Sequence, residues 1–287
     1  MVKDIGFIGL GTVGRHIAAN LLKAHYKLSV YDSKPEPAKD LLTQGAKWAS
    51  SPFEVAQGKD MVIVVMPEKE EMEAALSGTN GFMAGMRPGA ILVDMGTHSL
   101  EATMKLSKMS ADKGVQFLEA PIWGTKEHAI SGLLTVLTGG DQTLLSRCRE
   151  VFSHFALNII HVGEVGDATR MKFVVNLVQA ELMEALAEGL VLGEKLGFKA
   201  DKILEVLESG GVSSPLFNAK GRSIARGDFS RNLALKYVYE GILMAKEVAA
   251  KDNLELPGAD AVAKVFQKAL AAGRGEEDFS AIFKELK

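Results

Sequence analysis

The run Ile5-Gly6-Phe7-Ile8-Gly9-Leu10-Gly11-Thr12-Val13-Gly14 joins a short apolar segment to a glycine pattern, and Arg15 to Ala24 follows with Ile17, Leu21 and Leu22 at helical spacing. The order is strand, glycine loop, helix. In such a loop the first glycine permits a tight turn, the second lets a pyrophosphate approach the backbone, and the third lets the helix pack on the strand. The helix N-terminus then faces the phosphate charge. A second strand, Lys27 to Tyr31, ends in Asp32, 18 residues beyond Gly14, the place of the acid that takes the adenosine ribose in a dinucleotide site. A carboxylate there accepts from the ribose hydroxyls and repels a 2′-phosphate, so the residues favour NAD over NADP. Lys34 softens that preference, and the competing reading is that Asp32 only starts a turn before Pro35.

The alternation continues outward from this unit. Lys34 to Gln44 reads as helix, Met61 to Met66 as strand, Glu68 to Ser77 as helix, Ala90 to Val93 as strand and Leu100 to Lys113 as helix. Val115 to Leu118 and Leu133 to Leu137 read as strands, and Thr143 to Phe155 as helix. Short apolar runs alternating with amphipathic helices predict a parallel sheet covered on both faces, an α/β domain of the Rossmann type. Ligands of such sheets bind at the carboxyl ends of the strands, which points to Met66-Pro67, Gly96-Thr97 and Pro121-Ile122-Trp123-Gly124.

After His161 the pattern changes. Gly163-Glu164-Val165-Gly166 is a short connector, and helical segments alone follow it: Asp167 to Leu196, Lys199 to Glu208, Pro215 to Ala225, Leu233 to Ala250, Ala259 to Ala271 and a last one near Ser280. We therefore expect a dinucleotide-binding domain over 1–163 and an all-helical substrate and oligomerisation domain over 164–287, opened by a long interdomain helix that Asp167 caps and Gly197 ends. Within the apolar first half of that helix stand Lys172 and Asn176, on one face and a turn apart. A helix apolar on all sides is normally buried, and an unpaired buried lysine costs several kcal/mol or gives up its proton. Lys172 either snorkels to the surface or is there for chemistry.

Composition excludes other classes. Hydrophobic residues make up 47% and charged ones 24% of the 287, a globular balance able to bury two cores. A net charge of −3 without a basic run gives no footprint for nucleic acid. No apolar run approaches the roughly 20 residues of a membrane span, Glu181, Glu184 and Glu188 interrupting the long helix. The chain begins without the pattern of a cleavable signal, and its one cysteine, Cys148, fits a reducing compartment, the cytoplasm. Cys148 lies between Arg147 and Arg149, cations able to lower a thiol pKa, but is remote from every motif. The six histidines show no metal-ligand spacing, so no metal is expected.

Taken together these residues resemble the β-hydroxyacid dehydrogenase family, the group of 3-hydroxyisobutyrate dehydrogenase, tartronate semialdehyde reductase and the short glyoxylate/succinic semialdehyde reductases. The resemblance spans essentially the whole chain. It rests on Gly9-Leu10-Gly11-Thr12-Val13-Gly14, with Val13 where the family usually has methionine, and on Ala120-Pro121-Ile122-Trp123-Gly124-Thr125 followed by Ala129-Ile130-Ser131-Gly132. Its third element is the connector Gly163 to Gly166 followed by Lys172 and Asn176. The resemblance implies that Lys172 exchanges the proton, that Asn176 holds it and the substrate oxygen, and that Ile122, Trp123, Gly124 and Thr125 grip a substrate carboxylate, partly through backbone N–H groups. It also implies that Gly9 to Gly14, Asp32, Met66, Pro67 and Thr97 hold the cofactor, Thr97 reaching cofactor or substrate.

The chain departs from that family at five further positions. Trp123 and Thr125 replace a serine and a glycine, Gly96 replaces a serine in Asp94-Met95-Gly96-Thr97-His98, and Glu240 and Gly241 stand where a lysine and an aspartate are usual. Trp123 either walls the pocket or turns away under its loop; His98 is either a core or surface histidine or reaches the pocket mouth. The expected activity is an NAD-linked oxidoreductase of small β-hydroxy acids, semialdehydes or keto acids, the enzyme being a homodimer or homotetramer. The rivals are an NADPH-dependent aldehyde or keto-acid reductase, more distantly an imine reductase, and a non-catalytic dinucleotide-sensing protein.

Overall fold

The computed structural model describes residues 2–66 and 69–287; Pro67 and Glu68, expected in a cofactor loop and at a helix start, lie outside the described residues. The chain forms two compact units, Met1–Lys172 and Phe173–Lys287. In the first, β1 (Asp4–Ile8), α1 (Gly14–Lys23), β2 (Lys27–Tyr31), α2 (Lys39–Thr43), β3 (Lys47–Trp48), α3 (Pro52–Ala56) and β4 (Met61–Val64) follow in order. Then come α4 (Lys69–Leu76), α5 (Phe82–Gly85), β5 (Ile91–Asp94), α6 (Leu100–Asp112), β6 (Gln116–Glu119), β7 (Ile122–Trp123), α7 (Lys126–Ser131), β8 (Leu134–Gly139), α8 (Gln142–Ser153) and β9 (Ala156–Gly163).

These strands make one sheet in the order β3-β2-β1-β4-β5-β6-β8-β7, with β9 also on β8. Strands β1 to β6 pair in parallel, as their uninterrupted apolar runs require. Alternate residues feed opposite faces: Ile5, Phe7, Ile63 and Val93 enter one core, and Ile8, Val62, Val64 and Leu92 the other. The all-parallel expectation fails at one edge, where β8 runs antiparallel to β6 and β7. There α7 occupies the connection between β7 and β8 and lies against α1, with Asn20 donating to the Ala129 carbonyl at 2.9 Å. Lys34 to Gln44 is a 3₁₀ turn over Glu36–Ala38 followed by α2, because Pro35 and Pro37 withhold the N–H groups that a longer helix needs.

The long helix α9 runs over Asp167–Lys195, 29 residues, and Gly197 at φ +90° ends it. Asp167 is its first helical residue and not its cap; the carboxylate of Asp167 takes the Glu164 N–H at 2.9 Å and pairs with Arg170. The second unit adds α10 (Ala200–Glu208), α11 (Pro215–Ala225), α12 (Leu235–Lys251), α13 (Pro257–Ala271) and α14 (Phe283–Leu286). Its core gathers Met183, Leu190, Phe217, Ile242, Phe266 and Phe279. A buried ion pair, Lys220 with Asp278 at 2.8 Å, adds the N–H groups of Asn232, Leu233 and Ser280 to the same carboxylate, so neither charge is left uncompensated. Among the described residues no helix is long and apolar enough to cross a membrane.

Candidate active site

In the glycine loop between β1 and α1, two of the three glycines are required by their surroundings. Gly9 has φ +94°, and a Cβ there would stand 2.2 Å from the Val65 carbonyl oxygen. A Cβ on Gly14 would stand 2.0 Å from the Gly9 oxygen, so the start of α1 closes onto the loop. A Cβ on Gly11 would meet nothing within 4 Å. The middle glycine thus faces open space, and nothing within the chain requires it to lack a side chain. Thr12 and Val13 are half-buried in the same loop.

Asp32, just beyond β2, is tied to that loop. Its carboxylate accepts the Leu10 N–H at 2.6 Å and the Lys34 N–H at 3.0 Å. One oxygen therefore faces the glycine turn while the other closes the turn that follows β2. The turn reading of Asp32 describes what it does in the fold. Met66 is buried beyond β4.

Two acids sit side by side in register at the ends of β5 and β6, Asp94 opposite Glu119. Asp94 accepts the Gly96 N–H at 3.1 Å and pairs with His98 at 3.3 Å. His98 is buried, and although burial pulls its pKa down, Asp94 outweighs that and holds it above the ordinary value. A Cβ at Gly96 would stand 2.3 Å from His98 Nε2, so the histidine occupies the space that a serine at 96 would take. Thr97, half-buried between them, keeps its place on a braced turn.

Glu119 was not foreseen as a site residue. It accepts the Gly166 N–H at 2.7 Å, the Thr169 N–H at 2.6 Å and the Thr169 hydroxyl. Burial pushes its carboxyl upward, against the pull of these donors. The one signal in the sequence is an acid closing the otherwise apolar run Phe117-Leu118-Glu119-Ala120.

Lys172 is buried, and its Nζ donates to the Ile122 backbone carbonyl at 2.8 Å. Burial lowers its pKa from 10.5 to about 8. The snorkelling alternative is thereby set aside, and the helix lysine meets the loop after β6 within one unit. Trp123, paired through β7 with Thr135 of β8, is 47% exposed, so its ring is not folded under the loop. Gly124, at φ +142°, has no room for a side chain, since a Cβ would stand 2.8 Å from Leu134 Cδ2. Thr125 is otherwise engaged: its N–H goes to His128 Nδ1 at 3.1 Å and its hydroxyl caps α7. That capping box engages the Thr125 N–H, one of the backbone groups expected to meet a carboxylate.

In the second unit, Asn176 lies against α12. A Cβ on Gly241 would stand 2.9 Å from Asn176 Nδ2, so the glycine leaves the space the amide fills. Glu240 is exposed on α12 beside it. Cys148 is buried in α8, and burial pushes its thiol up to about 12, so the flanking arginines do not activate it.

Comparison with known proteins places both units. Residues 4–163 match the family described as the NAD binding domain of 6-phosphogluconate dehydrogenase. Residues 166–286 match the family described as the NAD-binding domain of NADP-dependent 3-hydroxyisobutyrate dehydrogenase. The 2-(hydroxymethyl)glutarate dehydrogenase of Eubacterium barkeri is 31% identical over 98% of this chain and 93% of its own length. The human cytokine-like nuclear factor N-PAC is 30% identical over 98% of this chain, which spans 51% of that protein. Among solved structures, Mycobacterium tuberculosis 3-hydroxyisobutyrate dehydrogenase with L-serine is 27% identical, covers 100% of both chains and superposes with a TM-score of 0.88.

Proposed function

Because the chain belongs to the β-hydroxyacid dehydrogenase family of nicotinamide-dependent oxidoreductases, we propose that it interconverts a small β-hydroxy acid with its semialdehyde or keto-acid partner, Lys172 exchanging the proton. The observation that carries this reading is the buried Lys172 amine, held to the Ile122 carbonyl and brought to about 8 by burial. A lysine whose pKa lies near working pH both gives and takes a proton. It reaches that value without a carboxylate partner among the described residues, so its charge stays available to a reacting oxygen.

Gly9, Leu10, Gly11, Thr12, Val13 and Gly14 hold the dinucleotide phosphates, Asp32 the ribose, and Met66, Pro67 and Thr97 the remaining cofactor wall. The bound nicotinamide supplies the hydride or takes it. An ammonium has three donors. Ile122 takes one of those of Lys172, which leaves two for the substrate oxygen and for Asn176, one turn further along α9. As charge grows on the oxygen during reduction, Lys172 stabilises it and delivers the proton; in oxidation the neutral amine receives the proton. Backbone groups of Ile122, Trp123 and Gly124 face the substrate carboxylate. Asp32 favours NAD, and a 2′-phosphate would meet its charge at short range.

The domains divide at 163/164, in step with the two family segments, and a single buried cysteine suits the cytoplasm. The enzyme works as a homodimer or homotetramer. In support, α9 carries an exposed apolar stripe of Val174, Val178, Leu182 and Leu192, continued by Leu196 just past its end, with the small Ala185 and Gly189 in line. A second copy of this helix is the partner with the same periodicity and the same lack of charge.

The test is the initial rate with NAD and with NADP across a panel of 3-hydroxy acids, for the wild type and Lys172→Ala. The expected loss is about 10² or more, the contribution of a positioned acid/base. Undiminished turnover in the variant would sink the assignment. Dinucleotide binding without any turnover in the wild type would instead mark a sensing protein.

A further inference from the structure

The carboxylate of Glu119 sits where the first turn of α9 begins. The last residue of β6, it is 1% exposed and takes every hydrogen bond described for it from Gly166 and Thr169. Amides at the start of a helix have no partner within the helix and carry its positive pole. Asp167, the local candidate for capping them, is turned back to Glu164 and out to Arg170. The cap therefore comes from a strand about 50 residues earlier, judged by the 47 and 50 residues that separate the bonded pairs.

The fold makes room for this contact. In the β6–β8 pairing Glu119 stands opposite Gly139. A Cβ on Gly139 would lie 2.5 Å from Glu119 Oε2 and 2.6 Å from the Glu164 carbonyl oxygen. The strand leaves out one side chain where the carboxylate and the helix start need the space. Thr103 of α6 closes the other side, its hydroxyl 3.1 Å from that of Thr169. Asp94, the neighbouring acid in register, adds like charge, and its own partners are Gly96 and His98.

Thr169 lies three residues before Lys172, on the same face of α9 one turn below it. Whatever fixes the rotation of this turn fixes the line along which the lysine side chain leaves the helix. Burying a carboxylate here costs free energy that an apolar contact would not, and what it secures is direction. We infer that Glu119 is a positioning residue that locks the first turn of α9 to the sheet and so sets where the Lys172 amine stands relative to the Ile122 carbonyl. This rests on the reading of Lys172 as the acid/base.

The experiment compares Glu119→Gln, Gly139→Ala and Thr169→Val with Lys172→Ala in the full chain, measuring kcat, KM for NAD and the pH profile of kcat, with circular dichroism as the check on folding. Glutamine keeps the volume but sets an NH2 against an N–H donor. A displacement of about 1 Å at a reacting group costs on the order of 10² in rate, so Glu119→Gln should lower kcat by about 10- to 100-fold with little change in KM for NAD. Because a loosened Lys172 is better hydrated, the pH midpoint it sets should move up from about 8 towards 10.5. Gly139→Ala should act in the same direction, and Thr169→Val by a few-fold. A folded Glu119→Gln with wild-type kcat and midpoint overturns the inference. Should that variant not fold, wild-type midpoints in Gly139→Ala and Thr169→Val overturn it equally. Activity surviving in Lys172→Ala would instead overturn the acid/base reading itself.

Discussion

Replacing Lys172 by methionine should inactivate the protein and stabilise it. Methionine keeps the length of the aliphatic stem and carries no charge, so it suits a site where the lysine is buried. The displacement from 10.5 to about 8 corresponds to about 3 kcal/mol of disfavoured ionisation at pH 7. Losing the hydrogen bond to the Ile122 carbonyl costs about 1 kcal/mol, leaving a net gain of about 2 kcal/mol. The sign follows from proton binding. Between about 8 and 10.5 the unfolded chain keeps the lysine proton while the folded chain has released it, so wild-type stability rises with pH across that window. By pH 9.5 the wild type should recover about 2 kcal/mol and the advantage of methionine should nearly vanish. Urea unfolding of both proteins at pH 7 and pH 9.5 reads this directly. If Lys172→Met is the less stable protein at pH 7, or if the gap is the same at both pH values, the lysine is not paying for its burial as argued.

Three further outcomes are expected. Asp32→Ala removes the charge facing a 2′-phosphate and the partner of the Leu10 N–H; the NADP to NAD ratio of kcat/KM should rise by about tenfold or more, and an unchanged ratio would take Asp32 out of cofactor choice. Trp123→Ser should change the relative kcat/KM of bulky and compact 3-hydroxy acids by about tenfold, whereas an unaltered ranking would mean that the exposed ring does not meet substrate. A Cβ at Gly189 meets nothing in its own chain, so Gly189→Leu should leave the thermal midpoint of the subunit near wild type yet shift the mass seen by light scattering to that of a monomer. A wild-type monomer at micromolar concentration would remove the α9 interface altogether.

Much of the architecture is legible because the signals are local. Gly9, Gly11 and Gly14 announce a loop by their spacing, and the long apolar run from Asp167 to Gly197 announces one helix. The edge of the sheet is not legible in the same way. Leu134–Gly139 reads as a strand, but its direction depends on the short β7 and α7 before it, and β9 is an apolar strand with Leu157 and Ile160 exposed, lacking the alternation of a half-buried one. Site geometry divides similarly. Lys172 stands out as a charge among apolar neighbours, while Glu119 looks like an ordinary strand-end acid until α9 is placed on it. Thr125 reads as a loop donor, and only the packing of α7 shows that His128 has claimed it.

The interlock of Gly96 with His98 constrains the order in which this chain can change. Restoring a serine at 96 alone would drive its Cβ to within 2.3 Å of His98 Nε2, and the imidazole could yield only by abandoning Asp94, a buried acid then left short of a partner. Exchanging His98 first removes that clash but leaves the Met66 carbonyl oxygen 2.7 Å from the same Cβ, so the backbone must still shift for a serine. The two positions are therefore coupled: both single-step routes back to a serine-bearing turn end against the Met66 carbonyl, and exchanging His98 relieves only the side-chain half of the crowding.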